Sequence, residues 1–249
     1  MATDALRQQV VVRRERPANP AWDRVFFSAM IVALWAAVLY GFARTYFLAG
    51  MVSAPLPNRL IHIHGAAFTL WMILLVVQSA LISARKVAWH RTLGIAGMGL
   101  AVAMVVLGVM AATDALRRGA APEGLDAKTF YVVPITAIGL FAVLVFYAYR
   151  ARRKPVVHKR LILIATIAIA AAAWGRWPIA ILQDHPPLLN VVTLLFLLPI
   201  VVYDIVSRGR VQKTTIWASL FVMVVQLVRV PIGFTPVWHA FATWMAGKG

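Results

Sequence analysis

The sequence predicts an all-α, polytopic membrane protein of seven transmembrane helices, with its N-terminus cytoplasmic and its C-terminus outside. Three observations carry that expectation. Of the 249 residues, 62% are hydrophobic and 13% charged, and the mean hydropathy of +0.80 exceeds what a water-soluble domain of ordinary size carries. Seven apolar stretches reach the length of about 20 helical residues needed to cross a hydrocarbon core of about 30 Å. None has the two-residue alternation of a barrel strand, and in lipid only a helix or a closed barrel satisfies every backbone group.

The first 24 residues are polar and include Arg13, Arg14 and Arg16. They contain no apolar stretch ahead of a small-residue cleavage site, so they are expected to remain as a cytoplasmic lead. The spans are expected at about 25–47, 60–84, 92–114, 129–149, 160–182, 188–206 and 215–233. They form one bundle over 25–233, followed by an aromatic tail over 234–249 that should lie along the outer surface. Basic connectors separate the spans. Arg7, Arg13, Arg14, Arg16 and Arg24 precede the first, Arg85, Lys86 and Arg91 part the second from the third, Arg150 to Arg160 part the fourth from the fifth, and Arg208, Arg210 and Lys213 part the sixth from the seventh. The opposite side holds fewer: Arg44, Arg59, Arg117, Arg118, Lys128 and Lys248. This asymmetry places the N-terminus inside.

Twenty-five Lys and Arg against eight Asp and Glu give a formal charge of +17. In a soluble chain that balance would suggest nucleic acid. In this one the charges sit in short connectors, where they orient the chain and attract anionic headgroups, so the expected partner is the lipid bilayer and no nucleic acid. The absence of cysteine removes disulfides, thiolate metal sites and iron–sulfur ligation. The Ala, Arg and Leu richness points to a high-GC bacterium and its inner membrane.

One internal echo stands out. Arg85-Lys86-Val-Ala-Trp-His90-Arg91 opens the third span and Arg153-Lys154-Pro-Val-Val-His158-Lys159 the fifth. Each places a His at the cytoplasmic start of an outward-running helix, so the two imidazoles should lie at equal depth, as a shared ligand requires. Positive charge at a helix start opposes the macrodipole, which favours neutral imidazoles able to act as ligands. The alternative is that both belong to headgroup-binding loops.

A second polar layer is expected near the outer face. At 1.5 Å per residue, His64 lies about 6 Å below the outer end of the second span, and Arg176 and Arg229 about 21 to 23 Å above the inner ends of the fifth and seventh. Gln226, Trp174 and Trp177 share that depth, with Asp184 and His185 just above. Charges within spans usually face a polar interior, which makes the arginines candidates for an anionic ligand group. Snorkelling to headgroups and an interfacial aromatic belt are the plainer readings of the arginines and tryptophans. His62 and His64, about 200° apart around a helix, cannot both face one site. His64 is favoured, because Gly65 beside it clears the surface.

No span carries a Glu-x-x-His or His-Glu-x-x-His pattern, and Asp114, Asp184 and Asp204 are the carboxylates expected near the membrane layers. That argues against a carboxylate-rich di-iron site. Asp204 is expected to pair with Arg208 or Lys159.

The stretch from His62 to Ala112 resembles the second and third helices of the ascorbate-reducible transmembrane cytochrome b family. The likeness rests on His62 or His64 near one helix start, Gln78-Ser-Ala-Leu81 near its end, the Arg85-Lys86 turn and His90 opening the next helix. It covers about one fifth of the chain. It implies b-type haem held by paired His, with His90 and His158 as one pair and electrons crossing the bilayer. The fourth span contains no His, so an outer haem would need His185 or His239. The leading expectation is thus a b-type haem membrane protein, with Arg176 and Arg229 neutralising propionates of an outer haem or meeting a quinone head. Such a protein could be a membrane oxidoreductase. The second is a metal-dependent membrane enzyme, gathering Zn, Fe or Cu at the outer face with His62 or His64, His185 and His239 while the arginines bind a lipid or other anionic substrate. The third is a cofactor-free subunit or transporter in which Gly94, Gly97, Ala101 and Gly108 pack helices.

Overall fold

The computed structural model describes residues 19–247. Arg7, Arg13, Arg14 and Arg16 of the expected lead, and Lys248 of the tail, lie outside the described residues. The elements are α1 (Pro20–Phe42, extended by a wide π turn over Ala43–Phe47), α2 (Arg59–Ser83), α3 (Val87–Arg117), α4 (Ala127–Arg150), α5 (Pro155–Trp174), short α6 (Ala180–Asp184), α7 (Leu188–Arg208), α8 (Lys213–Gly233) and α9 (Pro236–Gly247). Among the described residues seven helices, all but α6 and α9, are long and apolar enough to cross a membrane. α1, α3, α5 and α8 begin at one end of the bundle, the proximal end. The other end is distal.

Local sequence explains the boundaries. Asn19 caps α1 by accepting from the Ala21 amide at 2.9 Å, with Pro20 pre-set for the first turn. Asn58 caps α2 through the Ile61 amide, and Asp126 caps α4 through the amides of Lys128 and Thr129 at 2.9 and 3.0 Å. Arg85 turns the chain between α2 and α3 in the left-handed region, φ 59°. The expected fifth span is corrected here. It ends at Trp174, not near 182, because Gly175 comes next and Pro178 has no N–H to continue the ladder.

α1 to α5 pack in sequence order, and α5 closes back on α1. α7 and α8 then flank α5, α8 also packs on α4, and α9 crosses the distal ends of α3 and α4. α5 is consequently the most enclosed span. Its alanines permit that enclosure, since helices in lipid associate through close backbone approach. At Gly41 of α1, a Cβ would lie 2.4 Å from the Ala173 carbonyl oxygen of α5. Within the α1–α5 ring, Trp71 donates from Nε1 to Thr166 Oγ1 at 3.2 Å and meets Phe141 edge-on.

The tail is a helix docked on the distal end. Trp238 Nε1 donates to the Lys128 carbonyl at 2.8 Å, Arg117 Nε donates to the Ala246 carbonyl at 3.1 Å, and Ala242 is fully buried.

Candidate functional site

The basic-pair echo has the same register in both copies. His90 is the fourth residue of α3 and His158 the fourth of α5, so both stand about 4.5 Å from the proximal helix ends. Their rings face each other, with centroids 6.5 Å apart and planes at 87°. His158 Nδ1 lies 2.9 Å from the Ala148 carbonyl of α4. As the carbonyl can only accept, Nδ1 carries a proton toward it. His90 Nδ1 is buried without a partner, and the same ring interacts with the Gln78 backbone of α2. Gln78 Oε1 is also buried and unpartnered. The Ala148 carbonyl thus orients the His158 ring, as the outer partner of a ligating imidazole usually does.

The residue run His158-Lys159-Arg160 fans out to three sides of α5. Lys159 pairs with Asp23 of α1, whose carboxylate also accepts from Tyr203 of α7 at 2.8 Å. Arg160 pairs with Asp204 of α7, and Asp204 further accepts from the Gln212 amide at 3.0 Å and the Thr215 hydroxyl of α8. Arg160 and Asp204 have no exposed surface. This corrects the expected partners of Asp204, which are neither Arg208 nor Lys159. Asp23 escaped the sequence reading because it lay ahead of the expected first span. Its position just behind the Asn19-Pro20 cap was the available signal. Phe26 stacks on Tyr203 at 4.1 Å and Phe27 lies under the Lys159 ammonium at 4.5 Å, lining the carboxylate with rings.

The distal candidates do not form one site. Arg176, expected within a span, sits exposed in the turn after α5; its guanidinium lies 4.7 Å over Phe42 and donates back to the Ala172 carbonyl. His64 faces inward against Phe68, with ring centroids 4.3 Å apart, and interacts with the Leu107 backbone and the Arg176 charge. His62 is exposed beside Tyr46, whose hydroxyl donates to the His62 carbonyl at 3.1 Å. Gly65 has a different use from the expected one: the Tyr46 ring of the π turn fills the space beside it.

Arg229 lies elsewhere, on the α8 face packed against α4 and α5, with Gln226 one turn below. At 7% exposed it is not a snorkelling side chain. Trp174 is buried and donates to Thr193 of α7 at 3.3 Å, while Trp177 donates to the Ala37 carbonyl at 3.1 Å. Asp184 makes no ion pair with either arginine, the ion pairs of the described residues lying elsewhere.

His185 is exposed between α6 and α7, and His239 Nε2 is 3.0 Å from Thr129 Oγ1. That hydroxyl also donates to Asp126. Hydrogen bonds from the Thr129 hydroxyl and amide hold the Asp126 carboxyl below the usual carboxylate range. His239 therefore serves α9 docking. Among the described residues no three His, Asp or Glu gather as metal ligands, so the set of His62 or His64 with His185 and His239 is not assembled.

No protein family, curated protein or solved structure matches the chain.

Proposed function

We propose that this chain is a b-type haem membrane protein that carries electrons within or across the bilayer, with His90 and His158 as the residues that would hold the haem. The observation that supports this reading is the edge-on contact of two imidazoles from separate helices at one depth, one of them oriented by the Ala148 carbonyl. With their centroids 6.5 Å apart, the two rings would be near enough to share one haem iron.

The donor set also discriminates between cofactors. Two imidazoles, His90 and His158, would be the protein ligands that a b-type haem needs. A bare zinc or similar ion needs three or four protein ligands, and none gather among the described residues. Arg85, Lys86, Arg91, Arg153 and Lys154 are exposed around the pair and supply positive charge toward propionates. When bound, the haem would supply one-electron chemistry. The protein's part is to fix the rings, exclude water and raise the potential through that charge. By the distribution of basic connectors the proximal end is cytoplasmic, in a bacterial inner membrane, and a quinone or a redox protein is the electron partner.

The test is the visible spectrum of protein purified from a haem-replete host. A Soret band that shifts and sharpens on reduction is expected, and His90→Ala and His158→Ala should each abolish it. A colourless wild type, or both variants with the full spectrum, would reject the assignment.

A further inference from the structure

α8 presents one buried stripe to the bundle: Thr214, Thr215, Ala218, Val222, Gln226, Arg229 and Gly233. Beyond Val222 that stripe turns strongly polar where helix packing in lipid calls for small or apolar residues. Gln226 is 2% and Arg229 7% exposed. Neither amide atom of Gln226 has a hydrogen-bond partner, and neither has Arg229 Nε. Among the described residues the ion pairs join Arg118 to Asp114, Lys159 to Asp23 and Arg160 to Asp204, so Arg229 has no carboxylate.

The treatment of Arg160 in the same bundle is the instructive contrast. That guanidinium is buried too, and it meets both oxygens of Asp204 and the Val156 carbonyl. A buried charge left alone strongly destabilises a fold, and an aliphatic residue at 229 would avoid the penalty. Residues three apart share a helix face, and at 1.5 Å per residue Arg229 and Gln226 lie about 6 and 10 Å below Gly233. The pair therefore lies within about two turns of the distal end of α8.

We propose that Gln226 and Arg229 bind an oxyanion, a phosphate or carboxylate, between α8 and its neighbours α4 and α5. The guanidinium supplies charge and directed N–H donors. Gln226 Nε2 adds a donor from one turn deeper, and Oε1 accepts from a protonated phosphate oxygen or a water carried in with the ion. A quinone carbonyl is neutral and would leave the guanidinium charge uncompensated. The headgroup of an acidic lipid and a free anion offer the same chemistry. The site is at the opposite end of the bundle from His90 and His158, and its occupancy does not depend on haem.

The experiment is thermal unfolding of the full-length protein in neutral detergent with added phosphatidylglycerol, phosphatidylcholine or inorganic phosphate. Phosphatidylglycerol is expected to raise Tm and phosphatidylcholine not to; a rise with inorganic phosphate supports the proposal with a soluble anion as the source. Arg229→Gln and Gln226→Leu should each lose the larger part of the response, and Arg229→Leu should unfold at a higher temperature than wild type without anion. If the Arg229 variants do not fold, Gln226→Leu carries the comparison. A wild type indifferent to both anions, or an undiminished response in Gln226→Leu, overturns the proposal. The haem spectrum should be intact in Gln226→Leu, which separates failure here from failure of the haem-ligand assignment.

Discussion

Arg160 and Asp204 form an ion pair between α5 and α7 from which solvent is wholly excluded. Such a pair is held by geometry and by the extra hydrogen bonds that satisfy its remaining atoms, here from the Gln212 amide and the Thr215 hydroxyl. Asp204→Ala leaves a buried guanidinium uncompensated and should cost about 3–5 kcal/mol, read as a large fall in Tm in detergent. Arg160→Met combined with Asp204→Leu should recover most of that loss. A single variant as stable as wild type would show that the pair is dispensable.

Close backbone approach between α1 and α5 makes Gly41 intolerant of any side chain. A Cβ there would meet the Ala173 carbonyl at 2.4 Å, whereas at Gly99 it would meet nothing within 4 Å. Gly41→Ala should destabilise by about 1–3 kcal/mol through overpacking. Gly99→Ala should be neutral or stabilise by up to about 1 kcal/mol through helix propensity. Paired thermal melts of the two variants check the contrast.

The Asp126 cap carries a pH dependence whose sign is fixed. Its carboxyl is held below the ordinary range by the hydrogen bonds of Thr129. A depressed folded value means that the contribution is fully present above the unfolded carboxylate pKa of about 3.9 and fades as pH falls through the folded value. Asp126→Ala should cost about 1 kcal/mol and loosen α9, seen as faster proteolysis near Trp238. Asp126→Asn should keep most of the cap and lose the acid sensitivity. Equal acid sensitivity in Asp126→Asn would assign it to another group.

His64→Ala tests which end of the bundle holds the chromophore. No second imidazole is in ring contact with His64 among the described residues, and its neighbours are Phe68 and the Leu107 backbone. The variant should retain the haem spectrum that His158→Ala loses. Loss of the spectrum in His64→Ala alone would move the site to the distal end.

The helices were legible because apolar length is a property of the letters, and so was the depth of His90 and His158, since both come after a basic pair at the same offset. What the letters lack is azimuth. Arg176 and Arg229 are expected at one depth, yet one lies in the turn after α5 over Phe42 of α1 and the other on the inner stripe of α8. Asp204 is expected to pair with Arg208 or Lys159, and packing gives it Arg160 instead. Tertiary contact likewise converts His239 from a possible ligand into a docking group for α9.

The divergence of His158, Lys159 and Arg160 toward three different neighbours has a consequence for how this protein can change over time. Each added or lost residue in the first turn of α5 rotates the remainder of the helix by about 100°, so a single-codon insertion between Pro155 and His158 would misdirect all three side chains at once. The connection at 119–125, between the Arg118–Asp114 pair and the Asp126 cap, directs no such set of side chains and can lengthen more easily. Natural length variation should therefore accumulate there and spare the threshold of α5.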